Sequence, residues 1–293
     1  MNNIKKLFIL IFLNSINFSY SKQNQPLPKI AYLFTHGVGV NKDQKNYYEK
    51  NNIIPKQYKC FAYDGPEIVE DKFNSEYVVF AQQQDIDIVT RGIKFDIQKK
   101  NFQACIGVGV SKGAALLINM PKFNSLKALV LESPFADAND VILNYAKNIG
   151  LGWLPSSWNL SLANKIFYKD YDPKGIQPID SIKKIPENVA IIFIHSKEDK
   201  LIHINHSRNL YRELITQARK NVYLVETENG DHAQLLNNCS SHNHRITYIK
   251  AVHAFYKKYS LPYDENLAKD VDLKIYQPSL EEINNRIEQK KSK

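Results

Sequence analysis

The sequence contains little cysteine, glycine, methionine or tryptophan. Three cysteines, Cys60, Cys105 and Cys239, occur in 293 residues. This odd, low number argues against a disulfide framework, and the chain lacks the C-x-x-C pairs of thiol redox and zinc sites. Cys60 and Cys105 lie within apolar runs, where cysteines are usually buried thiols. We therefore expect a fold without disulfide staples and without a catalytic cysteine.

Long hydrophobic runs are also missing. A transmembrane helix needs about 20 apolar residues, whereas the apolar run near the N-terminus, Leu7–Leu13, has seven. Two lysines precede this run, and the small residues Ser19 and Ser21 follow it. This order is typical of a secretory signal peptide. We predict a signal peptide at residues 1–21, cleaved after Ser21, and an exported protein, periplasmic or secreted, without stable membrane insertion. An uncleaved N-terminal anchor is the alternative.

The positive charge of the chain is spread along its length. The formal net charge is +9, from 39 lysine and arginine against 30 aspartate and glutamate residues. Local clusters such as Lys99-Lys100 and Lys290-Lys291 are too short for a nucleic-acid-binding arm. No RNP, zinc-finger or helix-turn-helix signature accompanies them. We expect a solvated basic surface and no nucleic-acid partner, and the sequence carries no readable signal of an oligomeric state.

Short apolar runs alternate with longer segments of helical spacing. Most runs are continuous, which is typical of strands buried on both faces of a sheet. The six predicted strands are Ile30–Phe34, Tyr58–Tyr63, Ala104–Val110, Leu126–Leu131, Val189–Ile194 and Val222–Val225. The predicted helices between and after them include Asp85–Gln98, Lys112–Met120, Asn205–Arg219 and Ala233–Tyr259. This alternation predicts an α/β fold with a doubly wound, mainly parallel sheet of about six strands.

Two intervals interrupt the alternation of strands and helices. Residues 64–84 form a predicted loop, and residues 133–187 form a longer insertion that contains both tryptophans. An insertion of this size usually has helices of its own, so we predict a helical lid over the carboxyl edge of the sheet. The predicted domain comprises residues 22–259, with its core complete by Tyr259. Residues 260–293 form a predicted C-terminal appendage with a short helix.

A serine stands between two glycines at the third predicted strand. The segment Gly109-Val110-Ser111-Lys112-Gly113 fits G-x-S-x-G and joins this strand to a predicted helix. A sharp strand-to-helix turn directs the serine side chain outward, and the glycines let neighbouring backbone approach closely. Short patterns of this kind also arise by chance, so the assignment depends on partner residues. Ser111 is the candidate nucleophile, and a plain glycine-rich turn is the alternative.

The serine needs a base that takes its proton and an acid that orients the base. In folds with this strand-to-helix turn, the acid and then the base follow the nucleophile in the chain. Asp199 and His232 follow the fifth and sixth predicted strands, at the ends where open α/β sheets bind ligands. They are the candidate acid and base. The alternative acids are Glu198, Glu132 and Asp137.

The other histidines are expected to be surface or core residues. They are His195, His203, His206, His242, His244 and His253. The spacings His203-x-x-His206 and His242-x-His244 resemble pairs of metal ligands, but no third ligand of convincing spacing accompanies them. We expect no metal and no cofactor.

A carbonyl attacked by serine develops negative charge on its oxygen, which needs fixed N–H donors. The backbone N–H of Lys112, at the start of the predicted helix, is one candidate. The backbone N–H of Val38, in the loop after the first predicted strand, is the other. The Lys112 side chain itself is expected to face solvent.

Taken in order, these motifs make the chain similar to α/β-hydrolases. They are His36-Gly37-Val38-Gly39, Gly109-Val110-Ser111-Lys112-Gly113, Leu131-Glu132-Ser133-Pro134-Phe135, His195-Ser196-Lys197-Glu198-Asp199 and Gly230-Asp231-His232. The resemblance covers about residues 29–259 and is strongest for the serine-hydrolase branch with serine aminopeptidase-like, prolyl-oligopeptidase-like and esterase domains. It implies Ser111 as nucleophile, His232 as base and Asp199 as orienting acid. It also implies a trimmed sheet, since two antiparallel strands that often begin the fold have no counterpart.

The resulting hypothesis is a serine hydrolase that cleaves a carboxylic ester or related acyl bond of a small molecule through an acyl-enzyme. The predicted apolar walls of its substrate pocket are Trp153, Leu154, Trp158 and Phe167 of the lid. These residues could instead form the lid's own small core. Peptide or amide hydrolysis by the same residues is a second interpretation, and a non-catalytic binding protein is a third.

Overall fold

Six parallel strands form the central sheet. The computed structural model describes residues 29–289, except 152, 167 and 237–241. The strands are β1 (Ile30–Thr35), β2 (Lys59–Ala62), β3 (Ile68–Val69), β4 (Lys72–Phe73), β5 (Ala104–Val110), β6 (Leu126–Glu132), β7 (Ala190–Ser196) and β8 (Val222–Thr227). β3 and β4 form a short antiparallel hairpin, and the others form one sheet in the order β2-β1-β5-β6-β7-β8. All neighbours in this sheet are parallel, which confirms the predicted doubly wound parallel sheet.

Helices connect the strands and cover both faces of the sheet. They are α1 (Lys45–Lys50), α2 (Gln83–Gly92), α3 (Lys112–Asn119), α4 (Ala138–Ala146), α5 (Ser156–Ile166), α6 (Pro178–Ser181), α7 (Asn205–Thr216), α8 (His242–Lys258), α9 (Glu265–Ala268) and α10 (Leu280–Glu288). π-helical turns at Ile93–Gln98 and Lys147–Leu151 continue α2 and α4.

Alternate residues of each strand pack against opposite layers of helices. On β1, Leu33 shares a core with residues of α2, α3, α7 and α10. Tyr32 and Phe34 share the other core with residues of α1 and α8. β5 is buried at every position, because a parallel sheet with helices on both faces leaves neither face to water. This double burial is the reason why the strands read as continuous apolar runs.

The helix predicted at Ala233–Tyr259 has a different start. Residues 233–236 form turns, and α8 is described from His242. The apolar spacing continued through the turns because Leu235 is buried without being helical. The predicted start was therefore wrong. The β3–β4 hairpin lies inside the interval that was predicted as a loop.

The insertion at residues 133–187 contains α4, α5 and α6. Its helical content agrees with the expectation from its length. Its action as a lid stays a prediction, as do the domain boundaries drawn around it.

The C-terminal segment contributes to the core beside α7. α10 begins at a capping box, in which Ser279 and Glu282 each accept the other's backbone N–H. Ile283 and Ile287 lie one turn apart on α10 and are buried in the same core as α7. The expectation that the core is complete by Tyr259 is therefore wrong, because this helix has its own apolar face to bury.

Within the described part of the chain, no helix is both long enough and apolar enough to cross a membrane. The predicted signal peptide at residues 1–21 lies outside the described residues, so its cleavage after Ser21 stays a prediction.

Candidate active site

Ser111 lies at the sharp turn between β5 and α3. Its backbone has φ +55° and ψ −120°, a left-handed conformation that is strained for a residue with a side chain. A Cβ on Gly109 would lie 2.8 Å from the backbone of Ala114, and one on Gly113 would collide with the Thr35 carbonyl oxygen. Both glycines are therefore required by close backbone approach. Together they allow the strained turn that the G-x-S-x-G pattern predicts.

Three side chains distant in sequence meet at this turn. Ser111 Oγ lies 2.8 Å from His232 Nε2, and His232 Nδ1 lies 2.7 Å from Asp199 Oδ2. A carboxylate only accepts hydrogen bonds, so Nδ1 carries the proton and Nε2 is free to accept the serine proton. The structure thus brings together the three residues that the sequence singled out. In this tautomer the imidazole can act as a base toward the serine.

Asp199 is fixed from both sides of its carboxylate. Oδ1 accepts the backbone N–H groups of Leu201 and Ile202 at 3.0 and 2.8 Å. Oδ2 accepts from His232 and, at 3.1 Å, from His195. Burial opposes ionisation, but the hydrogen bonds from the two histidines outweigh it and hold the pKa of Asp199 well below its usual range. The group is therefore an anion that can stabilise a protonated His232.

The topology of the sheet explains this convergence. Ser111 follows β5, Asp199 follows β7 and His232 follows β8. These strands are parallel, so the segments that follow them leave from the same edge of the sheet. The loop after β1 reaches this edge too, next to β5, where the strand order reverses. Open α/β sheets bind their ligands at such a position.

The residues that carry the two predicted N–H donors lie near the serine. Val38 and Lys112 line the same cavity as Ser111. The loop that carries Val38 is tied to its surroundings, because the Gly37 N–H donates to Gln44 Oε1 at 3.1 Å. The Thr35 hydroxyl donates to the Gly113 carbonyl at 2.9 Å and joins this loop to the serine turn. Both candidate donors therefore lie on anchored backbone beside the nucleophile.

The side chain of Lys112 is buried, and the expectation that it faces solvent is wrong. Its Nζ lies 2.5 Å from Glu67 Oε1 and 2.9 Å from Asp85 Oδ1. Burial lowers the pKa of Lys112, but the two carboxylates outweigh burial, so the pKa is raised and the group is a cation. Local sequence could not indicate this pairing, since Glu67 and Asp85 are 45 and 27 residues away.

An apolar cavity of about 260 Å³ opens beside Ser111. Its lining residues are Val38, Phe80, Ser111, Lys112, Phe135, Val141, Ile142, Tyr145, Tyr168, Leu201 and Ile202. Phe135, Val141, Ile142, Tyr145 and Tyr168 belong to the insertion. The cavity can therefore take an uncharged, apolar group next to the serine hydroxyl.

The structure places the predicted pocket residues elsewhere. Trp153 and Trp158 are 78% and 66% exposed, and neither they nor Leu154 line the cavity beside Ser111. Phe167 lies outside the described residues. The insertion does supply walls, but through Phe135, α4 and Tyr168 instead of the tryptophans. Tyr168 could have been suggested by its position in the insertion, yet which apolar residues face inward depends on packing that spacing does not record.

The alternative acids have other surroundings. Glu198 is exposed, and Asp137 accepts the Asn139 N–H as the N-cap of α4. Glu132 is buried at the end of β6 and accepts the Tyr48 hydroxyl at 2.8 Å. Burial raises the pKa of Glu132. Asp199 is thus the carboxylate hydrogen-bonded to His232.

Of the other histidines, His195 and His253 are buried and His203 and His206 are half-buried. His253 is buried, with Nε2 3.0 Å from the Asn52 carbonyl oxygen. His195 contacts Asp199, which the sequence did not suggest. The side chains of His242 and His244 lie outside the description. Among the described residues, no group of three or more His, Cys, Asp or Glu side chains could hold a metal ion.

His206 is expected to make the fold sensitive to acid. Burial, and then its neighbours His195 and His203, lower the pKa of His206 to about 4, and Nδ1 accepts the Ala136 N–H at 3.2 Å. An unfolded histidine has a pKa of about 6.5, so the unfolded chain takes up this proton first. The His206 contribution to stability is therefore complete above about pH 6.5 and is lost as the pH falls toward about 4.

Urea unfolding at stepped pH measures this loss. Between about pH 6.5 and about pH 4, uptake of a proton by His206 in the unfolded chain should lower the free energy of unfolding by about 3 kcal/mol. His206→Gln, which keeps an acceptor for the Ala136 N–H, should remove that part of the pH dependence. An identical dependence in wild type and variant would show that His206 is not responsible.

Comparisons with known proteins agree with this fold. Residues 103–261 match the model of the prolyl oligopeptidase family. The uncharacterized protein YqkD of Bacillus subtilis (strain 168) is 28% identical over 183 residues, or 60% of this chain and 54% of that protein. The chain thus spans about half the length of this curated relative.

Two solved structures show the same architecture. A lipase-esterase related protein from Clostridium acetobutylicum ATCC 824 is 20% identical, with a TM-score of 0.51 over 72% of this chain and 90% of that chain. The acylaminoacyl peptidase of Pyrococcus horikoshii is 18% identical, with a TM-score of 0.59 over 86% of this chain and 40% of that chain. At such identities the likeness shows the fold, which is that of α/β-hydrolases.

Proposed function

The chain belongs to the prolyl oligopeptidase family of serine hydrolases, and from this premise we propose that it cleaves a carboxylic ester through Ser111, His232 and Asp199. The observation that carries the proposal is the chain of hydrogen bonds from Asp199 through His232 to Ser111, at 2.7 and 2.8 Å, beside an apolar cavity. The substrate is a small molecule with an uncharged acyl group.

The reaction has two halves. His232 Nε2 takes the Ser111 proton while Oγ attacks the carbonyl carbon, and His232 then gives this proton to the departing alcohol oxygen. The acyl group remains as an ester on Ser111. His232 next takes a proton from water, the resulting hydroxide attacks the acyl-enzyme, and the acid product leaves as Ser111 recovers its proton. Asp199 stabilises the protonated His232 in both halves.

Negative charge on the attacked oxygen needs donors beside Ser111. The N–H groups of Lys112 and Val38 are the proposed donors. Lys112 is the first residue of α3, where backbone N–H groups have no partner within the helix. Each such donor is worth on the order of 10²–10³ in rate. Both N–H groups lie on anchored loops, which supports the proposal that they are held in place before the negative charge develops.

The lining of the cavity favours an ester over a peptide. A peptidase that grips a charged N-terminus needs a carboxylate in its pocket, and no aspartate or glutamate is among the described lining residues. The lysine of the lining has its ammonium group bonded to Glu67 and Asp85. Peptide or amide hydrolysis is the second candidate, favoured by the family match. Export, and a lid function of the insertion, are further proposals that rest on the sequence.

A matched pair of substrates separates the two candidates. The p-nitrophenyl ester and the p-nitroanilide of the same hexanoyl group differ in the scissile oxygen or nitrogen. We expect the ester to be hydrolysed with a much higher kcat/KM. Preferential cleavage of the anilide would overturn the ester assignment.

The acyl preference is measured with acetyl, butyryl, hexanoyl, octanoyl and decanoyl esters. Burial of a methylene contributes about 0.8 kcal/mol, so kcat/KM should rise about fourfold per added methylene until the cavity is full. Ile142→Phe narrows the cavity without touching Ser111, His232 or Asp199, and it should shorten the preferred chain. A flat series in both proteins would mean that the acyl group binds elsewhere.

A further inference from the structure

A second histidine contacts the orienting carboxylate. His195 is fully buried at the end of β7. Its Nε2 lies 3.1 Å from Asp199 Oδ2 and 2.8 Å from the Ile202 carbonyl oxygen. Its Nδ1 lies 2.7 Å from the Ser207 hydroxyl oxygen on α7. His195 touches neither Ser111 nor His232 in these contacts, so it can act on them only through Asp199.

The partners of His195 fix its tautomer. A backbone carbonyl only accepts, so the nitrogen facing the Ile202 oxygen must carry a proton. Nε2–H is therefore shared between Ile202 and Asp199. In the neutral ring, Nδ1 then accepts the hydroxyl proton of Ser207. This hydroxyl polarises the ring, which makes Nε2–H a better donor toward the carboxylate.

Both histidines donate to the same oxygen of Asp199. The other oxygen is occupied by two backbone N–H groups. Because both hydrogen bonds use the same oxygen, the bond that Oδ2 accepts from His195 weakens the bond that it accepts from His232. The His195 donor therefore limits how strongly the carboxylate stabilises a protonated His232, and it holds the carboxylate in the orientation that His232 requires.

We propose that His195 is a positioning residue that orients Asp199 and sets the pH at which His232 becomes a base. The inference rests on the proposed function, since it concerns the same acid and base. Without the His195 donor, Asp199 should accept the Nδ1–H of His232 more strongly and stabilise the protonated ring more. The active, unprotonated form of His232 would then require a higher pH.

Other ionisable groups surround the two histidines. Those near His195 are His203 just before α7, His206 and Arg208 on α7, and Glu226, its pairing neighbour on β8. Arg208 Nε is bonded to Glu226 Oε1 at 2.7 Å, so these two opposite charges neutralise each other locally. Those near His232 are Glu132 at the end of β6 and Asp231, the preceding residue. None of these donates to Asp199 in the described contacts, which leaves His195 as its adjustable donor.

The test is the pH profile of kcat/KM for ester hydrolysis in two variants. His195→Leu removes the donor, and His195→Gln can keep an N–H near the position of Nε2. We expect the acid limb of the leucine variant to move up by about one pH unit. Its kcat at the optimum should fall by about tenfold to a hundredfold, because Asp199 is less well oriented. The glutamine variant should have an acid limb and a kcat close to those of the wild type.

A folded leucine variant with an unchanged acid limb and kcat would overturn the inference. If this variant does not fold, Ser207→Ala is the second test, since it removes the hydroxyl that polarises the ring. It should move the acid limb in the same direction by a smaller amount, and an unmoved limb would overturn the inference equally. Failure of wild-type protein to hydrolyse any ester would instead reject the proposed function, which keeps the two failures distinct.

Discussion

Ser111→Ala and His232→Ala are each expected to lower ester turnover by about 10⁶-fold. Loss of either the nucleophile or the base of such a triad disables the whole unit, because each group acts only through the other. Ser111 Oγ and His232 Nε2 are 2.8 Å apart, within direct proton-transfer reach. The double variant should be no slower than either single one, since the two losses are not additive.

Asp199→Asn should have a smaller effect, of about 10⁴-fold. The amide can present its N–H₂ group to His232 and so favour the tautomer in which Nε2 carries the proton. That tautomer cannot accept the Ser111 proton. The order of effects, with serine and histidine above the acid, is therefore part of the prediction.

Turnover of p-nitrophenyl hexanoate and labelling by a fluorophosphonate probe measure these effects. Ser133→Ala is the matched control, because Ser133 is also a buried serine with positive φ, at +47°, directly after a strand. It should label and turn over like the wild type. Undiminished labelling of Ser111→Ala would place the nucleophile elsewhere, and undiminished labelling of His232→Ala would mean that another base serves the serine.

Lys112→Met is expected to lower the free energy of unfolding by about 3–5 kcal/mol. Removing one partner of a buried ion pair leaves an uncompensated charge, and this is what makes the loss large. In this chain two carboxylates, Glu67 and Asp85, lose their common cation inside the protein. Asp85 also accepts the Ala81 N–H at 2.9 Å next to Phe80, so the cavity wall should loosen as well.

Equilibrium unfolding in urea measures this change. Lys257→Met is the matched control, because Lys257 pairs with Glu265 on the surface, where water screens the pair, and it should leave the free energy of unfolding nearly unchanged. Replacing Lys112, Glu67 and Asp85 together by Met, Gln and Asn should recover much of the loss, since no charge then remains buried. A single variant as stable as the control would show that the lysine does not neutralise these carboxylates.

Much of the fold is readable from the sequence because parallel strands buried on both faces leave a strong local signal. β5 was predicted with its observed bounds, Ala104–Val110. The serine turn was readable because Gly109 and Gly113 have to be small for steric reasons. Asp199 and His232 followed from chain order, since the ends of parallel strands share one edge.

The features that could not be predicted from the sequence depend on contacts between distant segments. The direction of the Lys112 side chain is decided by two carboxylates far away in the chain. The cavity walls are decided by how α4 and Tyr168 pack above Ser111. Trp153 is large and apolar, yet it is 78% exposed, because residue type alone does not select the face that turns inward.

The order of the strands also determines when the proposed chemistry can begin. Ribosomes build the chain from its N-terminus, and the nucleophile is made long before its base, which follows β8 near the end of the sheet. A nascent chain that has passed Ser111 but has not reached His232 has a serine hydroxyl of ordinary reactivity. The proposed nucleophile therefore becomes reactive only after β8, the last strand of the sheet, has been synthesised.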